Sequence, residues 1–302
     1  MAGPTVSAII PTLNAEGEIG PLIEKLLSQT LIPSEILVVD SSSDDRTVEE
    51  VKRTISSDNG SIVRLLEIAR SDFDHGGTRR MAANQTCGEF ILLLTQDAVP
   101  LNETFVEHLV SPFADERVAI STGRQVPKAD AVRYEQLVRE FNYPQESCVR
   151  SSADLKRYGI KTYFTSDVCC AYRRSSYEEL GGFPESCNTS EDMFLAIRAI
   201  DQGWSIAYAS DAAVLHSHNL TPLQQYRRNL EVGYFLQSQQ ALLKGVSETG
   251  EGARLVKSVA AQLLLEGRIG QLVLFCIDCS ARLLGNRHGR SIAKKKWRES
   301  NS

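Results

Sequence analysis

Apolar and polar positions come in alternating blocks over the first hundred residues. Val6 to Ile10 is an apolar, β-branched run that stops at Pro11, which predicts a strand. Glu16 to Gln29 carries Ile19, Leu22, Ile23, Leu26 and Leu27 on one helical face. Ile36 to Val39 predicts a second strand, ending at Asp40, and Thr47 to Ile55 a second helix after the turn-like Ser41 to Asp45. Val63 to Ala69 is a third strand, Gly77 to Thr86 a third helix, and Phe90 to Leu94 a fourth strand that ends at Thr95-Gln96-Asp97. Such a β-α series predicts an α/β fold with a parallel sheet and helices on both faces. The strands read as continuous apolar runs, as parallel strands buried on both faces should.

Beyond Pro100 the pattern loosens. Val118 to Ser121 predicts a strand, Asp130 to Asn142 a helix, and Cys148 to Thr165 a polar loop over the site. Ser190 to Gly203 predicts a helix, followed by a strand over Ser205 to Tyr208. Thr221 to Lys244 reads as helix, Gly245 to Gly252 as linker, and Ala253 to Leu284 as one or two more helices. The expected division is a catalytic domain over 1–220 and a helical extension over 221–302, whose last stretch, Arg282 to Arg298, holds seven Lys or Arg.

Composition narrows the class. A chain of 302 residues supports one large core with an appendage. A net charge of -5 argues against a nucleic-acid partner. Seven irregularly spaced cysteines fit a reducing, cytoplasmic compartment rather than a disulfide framework. Cys276 and Cys279 form a C-x-x-C without the second pair a zinc site needs. The N-terminal residues lack the features of a signal peptide, and no apolar run approaches the ~20 residues of a spanning helix.

Candidate chemistry gathers at strand ends. Ligands of open α/β sheets bind at the carboxyl ends of the strands, where Pro11-Thr12-Leu13-Asn14, Asp40 and Asp97 all fall. Asp40 can accept from a base or ribose, or cap the next helix. Asp97 can hold Mg²⁺ or Mn²⁺ against a diphosphate, or be a turn residue. Glu191 and Asp192 open a helix, where the macrodipole favours them and where Thr189 and Asp192 have capping-box spacing; the same rigid start can aim a general base. His216 and His218, two apart, can chelate a cation or serve structure. In His75-Gly76-Gly77-Thr78-Arg79-Arg80 the glycines admit an anion at a helix start, with Arg79 or Arg80 neutralising it, or simply form a turn.

In this order the pieces resemble a family 2 glycosyltransferase of the GT-A fold. They are Pro11-Thr12-Leu13-Asn14, Val38-Val39-Asp40-Ser41, Gln96-Asp97, Leu180-Gly181-Gly182-Phe183, Ser190-Glu191-Asp192 and Val214-Leu215-His216. Phe73-Asp74-His75-Gly76-Gly77-Thr78-Arg79, Leu94-Thr95-Gln96-Asp97-Ala98 and His216-Ser217-His218 are similar to segments of bacterial rhamnosyltransferases of surface-polysaccharide assembly, with Asp74 where those have Asn.

The resemblance implies an inverting transfer from a nucleotide-sugar donor, dTDP-rhamnose, to a glycan or lipid-linked glycan. It implies donor binding by Pro11, Thr12, Asn14, Asp40, Arg79, Gln96 and Asp97. A divalent metal, Mg²⁺ or Mn²⁺, would sit on Asp97 with His216 or His218, and Asp192 would be the base, supported by Glu191. Thr95 stands where the family's D-x-D has its first carboxylate. The basic tail and the helices before it suit the surface of an anionic membrane, or a second copy of the chain. A sugar-phosphate nucleotidyltransferase would place a Gly-, Arg- and Lys-containing loop after the first strand, and that loop is missing. A non-catalytic sugar-nucleotide or glycan-binding module would bind donor without turnover.

Overall fold

The computed structural model describes residues 3–57, 62–243, 246 and 249–300. Among them, nine strands form one sheet: β1 (Val6–Thr12), β2 (Glu35–Asp40), β3 (Val63–Glu67), β4 (Phe90–Leu94), β5 (Val99–Pro100), β6 (Val118–Val126), β7 (Cys148–Arg150), β8 (Cys169–Arg173) and β9 (Ser205–Leu215). The helices are α1 (Ile19–Leu27), α2 (Thr47–Ile55), α3 (His75–Asn84), α4 (Phe105–Val110), α5 (Arg133–Asn142), α6 (Leu155–Tyr158), α7 (Arg174–Glu179), α8 (Glu191–Asp201), α9 (Pro222–Ser238), α10 (Thr249–Leu265) and α11 (Ile269–Ser300).

The sheet order is β3-β2-β1-β4-β8-β6-β9-β5, with β7 on β9. The first four strands are parallel, as the alternation predicts. β8, which no apolar pattern announced, lies antiparallel between β4 and β6. β6 therefore runs in the direction of β1–β4, and β9 is parallel to β6. One consequence governs the site: the carboxyl ends of β1, β2, β4, β6 and β9 share one rim.

Successive strand residues face two separate cores, because the side-chain period of a strand is two. Ala8, Ile10, Val38, Leu92 and Leu94 pack under α1, α2 and α4. Ile9, Leu37, Val39, Ile91 and Leu93 pack on the opposite face under α3 and α8.

The C-terminal helices depart from expectation in extent. The helix starting at Thr221 ends at Ser238; the expected end at Lys244 and part of the Gly245–Gly252 linker lie outside the described residues. The basic stretch is no tail, because α11 carries it within a single helix to Ser300. α10 and α11 dock on α5 through Leu137, Val138, Val259, Leu263 and Phe275, with Arg133 bridging to Glu266 at 2.7 Å. α9 and α11 cross with their backbones in contact: a Cβ on Gly233 would land on Asn286, one on Gly285 on Tyr226, and one on Gly289 on Leu230.

The outer face of α11 is divided. Ile269, Val273, Leu274, Ile277, Leu283 and Leu284 are exposed, and no charged residue between Ile269 and Leu284 is. Arg287, Lys294, Lys295 and Arg298 then take over the exposed surface. Among the described residues no helix is long and apolar enough to cross a membrane.

Candidate active site

The strand-end loops are laced together on the shared rim. Thr12 pairs with Asp40 in the sheet register. Asn14, in the left-handed region at φ 52°, accepts from the Asp44 amide on its side chain and donates its backbone N–H to the Ser43 hydroxyl oxygen, both at 2.9 Å. The Gln96 side chain clasps the Leu13 peptide, accepting from its N–H at 2.9 Å and donating to its carbonyl at 3.2 Å. Asp40 is fully buried and accepts from the Ser43 amide at 2.9 Å and from its hydroxyl. It does not cap α2, whose N-cap residue is Arg46.

Asp97, His216 and His218 come together at this rim, with ligating atoms all within 4.8 Å of one another. Nε2 of His216 is 3.4 Å from Oδ2 of Asp97, and Nε2 of His218 is 3.3 Å from the same oxygen. Nδ1 of His216 is 3.0 Å from Oε1 of Gln125, which can only accept, so Nδ1 carries the proton. Burial, reinforced by Arg139 and opposed by Asp97, pushes the His216 pKa down to about 3, so the ring is neutral. Its Nε2 is then a bare lone pair facing a carboxylate oxygen. Two acceptors at this distance repel unless a cation joins them. One carboxylate and two imidazoles are a donor set for a divalent transition metal, so these residues fit such an ion.

The start of α8 builds a second charged group. Arg79 is 5% exposed. Its Nη1 lies 3.2 Å from Glu191 and 3.0 Å from Nδ1 of His75, and its Nε 3.5 Å from Asp167. Tyr172 donates its hydroxyl to Asp167 at 2.6 Å. One guanidinium thus faces three carboxylates, Asp167, Glu191 and Asp192, and crowded like charges hold protons. Burial raises Asp167 well above the ordinary carboxylate range, opposed by Arg79 and helped by Asp192 and Glu191. Burial first, and the Glu191 charge second, push Asp192 up to about 7; the Met193 amide and Arg79 pull the other way.

Several expectations change here. The Thr189–Asp192 capping box does not form: Ser190, at φ 65°, is the N-cap residue, and Asp192 accepts from the Met193 amide at 2.6 Å. The Gly76-Gly77 segment is no anion cradle. Gly76 donates to the Cys187 carbonyl and Gly77 to Asp74, while a Cβ on either would strike the 184–187 loop. Asp74 also accepts from the Cys187 amide at 2.8 Å. Burial would raise Asp74, but these amides outweigh it and hold the pKa low. Arg79 is engaged by Glu191 and Asp167 rather than presented to a diphosphate, and Arg80 donates to the carbonyls of Gly181 and Phe183, both at 2.7 Å.

Sequence reasoning missed Gln125, Asp167 and Arg228. Gln125 and Asp167 lie where a strand was read too short or not read at all. Arg228, on α9, makes no hydrogen bond or ion pair among the described residues. Although the residue is exposed, partial desolvation of its guanidinium, with Arg139 and Arg282, lowers its pKa, while Tyr143 and Asp192 oppose them. The Gln225-Tyr226-Arg227-Arg228 stretch offered no signal beyond helix.

A sheet with one ligand rim, acceptors poised for a divalent metal and a carboxylate tuned near neutrality define a nucleotide-dependent transferase of the GT-A fold. Residues 7–181 match the model of glycosyl transferase family 2, and the chain belongs to that family: it is a glycosyltransferase. It is 38% identical to the O-antigen chain rhamnosyltransferase RfbN of Salmonella typhimurium over 94% of this chain and 89% of that one. It is also 38% identical to the O-antigen chain rhamnosyltransferase WbaN of Salmonella anatum, over 95% and 90%. Among solved structures, the mannosyltransferase PcManGT from Pyrobaculum calidifontis, in complex with GDP-Man and Mn²⁺, superposes with a TM-score of 0.65 at 20% identity, covering 97% of this chain and 87% of its own.

Proposed function

We propose that the chain transfers rhamnose from dTDP-rhamnose to a glycan or lipid-linked glycan acceptor in bacterial O-antigen assembly, with inversion at the anomeric carbon. The observation that carries the reading is the convergence of Asp97, His216 and His218 on the strand-end rim. The choice of sugar is supported by the two rhamnosyltransferase relatives. The expected division of labour stands with it, 1–220 for catalysis and 221–302 as the helical extension, in a cytoplasmic enzyme.

Each residue then has a task. Pro11, Thr12, Asn14, Asp40 and Gln96 form the wall that receives the nucleoside. Asp97, His216 and His218 hold the divalent cation, Mn²⁺ or Mg²⁺. When bound, that cation offsets the charge of the donor's diphosphate. Arg228, the unpaired guanidinium on α9, donates to the same diphosphate in the role first given to Arg79.

Asp192 takes the proton of the acceptor hydroxyl. The acceptor oxygen forms its bond to the anomeric carbon as the bond to the diphosphate oxygen breaks, and the electron pair leaves with the diphosphate. A base titrating near 7 is matched to this task. Glu191 and Arg79 sit behind it and set its charge.

The apolar stripe and basic continuation of α11 support a seat for the enzyme on an anionic membrane, where a lipid-linked acceptor would reside. Binding to anionic but not neutral liposomes at low salt supports this. Self-association without liposome binding would instead assign the stripe to a second copy.

The decisive assay is release of nucleoside diphosphate from a panel of nucleotide sugars, with and without EDTA. Release from dTDP-rhamnose, lost in EDTA and restored by Mn²⁺, is the expected result. Binding of donor with no release under any condition would favour a non-catalytic module.

A further inference from the structure

We propose that Gln125 is a positioning residue that fixes the His216 ring, so that Nε2 rather than Nδ1 is the nitrogen presented to Asp97. The inference rests on the metal reading of the Asp97, His216 and His218 group and concerns what lies behind it.

An imidazole can offer either nitrogen to a metal, and the hydrogen bond at the other one decides which. Behind His216 that partner is a carboxamide, whose two ends have opposite character. A glutamine turned one way accepts from Nδ1–H; turned the other way it would donate, leave Nδ1 bare and force the proton onto Nε2. The site works only if the amide is held in one orientation.

Three contacts hold it. Nη1 of Arg139 donates to Oε1 of Gln125. A guanidinium never accepts, so the amide oxygen, not its NH₂, must face Arg139. Oε1 is also the atom 3.0 Å from Nδ1 of His216. On the other side, Nε2 of Gln125 donates to Oγ of Ser166 at 2.9 Å. Arg139 is itself anchored, with Nε 2.9 Å from the buried Glu135, and is only slightly exposed. Arg139, anchored to Glu135 on α5, and His216 at the rim therefore converge as donors on the one oxygen of Gln125. Backbone pairing sets its register: Gln125 lies beside Val214 on parallel strands, and the His216 amide donates to the Val126 carbonyl at 2.9 Å. Gln125 is 2% exposed, so water cannot substitute for it.

The test uses the whole chain with ¹⁵N-labelled histidine rings, in metal-free form, together with Mn²⁺ titration followed by electron paramagnetic resonance. The wild-type His216 is expected to show a protonated Nδ1 and a bare Nε2. Gln125→Leu removes the acceptor and should mix the two tautomers. Gln125→Glu keeps an acceptor for both His216 and Arg139 and should preserve the wild-type ring. An outer partner of a metal-bound histidine typically contributes 10–100-fold in affinity, so Gln125→Leu should weaken Mn²⁺ binding by about that factor and Gln125→Glu by less than about threefold. Arg139→Met frees the amide to turn and should also mix the tautomers, which provides a second reading if Gln125→Leu does not fold.

A wild-type ring with a bare Nδ1, a Gln125→Leu ring that keeps the wild-type tautomer, or, where the wild type binds Mn²⁺, equal affinity in Gln125→Leu overturns the proposal. Wild-type protein that binds no Mn²⁺ yet shows a protonated Nδ1 removes the metal reading and leaves the role of Gln125 on the ring standing.

Discussion

The molecule gathers charge in two places, and the two are built on opposite plans. Around the start of α8, Asp167, Glu191 and Asp192 surround Arg79, a cation the chain supplies itself. At the rim, Asp97 and the bare Nε2 of His216 meet as two acceptors with His218 beside them, His216 being kept neutral by burial. A protein-supplied cation suits the first group to the acid–base role proposed for it. Facing acceptors without one suit the second to the proposed ion from outside. Acidic residues alone would not separate these cases; the location of the positive charge does.

The sharpest way to break the contrast is to remove the tuned carboxylate. Asp192→Asn should lower kcat by about 10²–10⁴-fold, the usual contribution of a general base, with donor binding retained by calorimetry. In the wild type, protonated Asp192 cannot accept the acceptor's proton. Transfer should therefore fall as pH drops through about 7. A rate flat from pH 5 to 8, with chemistry rate-limiting, would take the base role away from Asp192.

Next comes the rim group. Asp97→Asn should cost about 10²–10³-fold in nucleoside diphosphate release and abolish the response to added Mn²⁺. If the rim is instead a hydrogen-bonded structural cluster, the variant would lose thermal stability while EDTA left wild-type activity untouched.

Arg79→Met tests the protein's own cation. Glu191 and Asp167 would lose their partner, at a cost of about 3–5 kcal/mol read by urea unfolding, as for other broken buried pairs. Arg79 also pulls the Asp192 pKa down, so the variant should move the pH profile to higher pH. A stability loss with an unmoved profile would make Arg79 purely structural.

The smallest effect belongs to Arg228→Met. One charge-assisted hydrogen bond to a diphosphate contributes about 1.5–3 kcal/mol, so KM for the donor should rise by roughly 10–100-fold with metal affinity unchanged. An unchanged donor KM would return that role to another cation.

How far these groups could be seen in the sequence depends on their distance from a regular pattern. The β1–β4 half was legible because β2 and β4 centre on continuous apolar runs, β1 nearly does, and α1 shows a clear apolar face, even though β3 carries Arg64 and Glu67. The rim residues Asn14, Asp40 and Asp97 were legible for the same reason, each following such a run. β8 was not. Its five residues include Cys169, Cys170 and Arg173, too short and too mixed to show a period. Asp167, two residues before it, was hidden with it. The read strand at Val118 stopped at Ser121, because Thr122, Gly123 and Arg124 break the apolar run, and so Gln125 was left in a supposed loop. Arg79 was visible as a residue but not as a buried one, because its partners lie about ninety and more residues away.

The glycine-lined crossing of α9 and α11 also has a mechanical meaning. α9 begins four residues after His218, and where it crosses α11 there is no side-chain cushion between the two backbones. The crossing is a pivot without play. α11, with 32 residues and a length of about 48 Å, is then a stiff arm rigidly joined to the reactive edge. Anything that seats the outer face of that arm fixes the height and tilt of the reaction centre at the same time. Under the proposed membrane seat, the reach of the enzyme toward its acceptor would be set by a ruler cut into the fold, and one methyl group at Gly285 or Gly289 would change its reading.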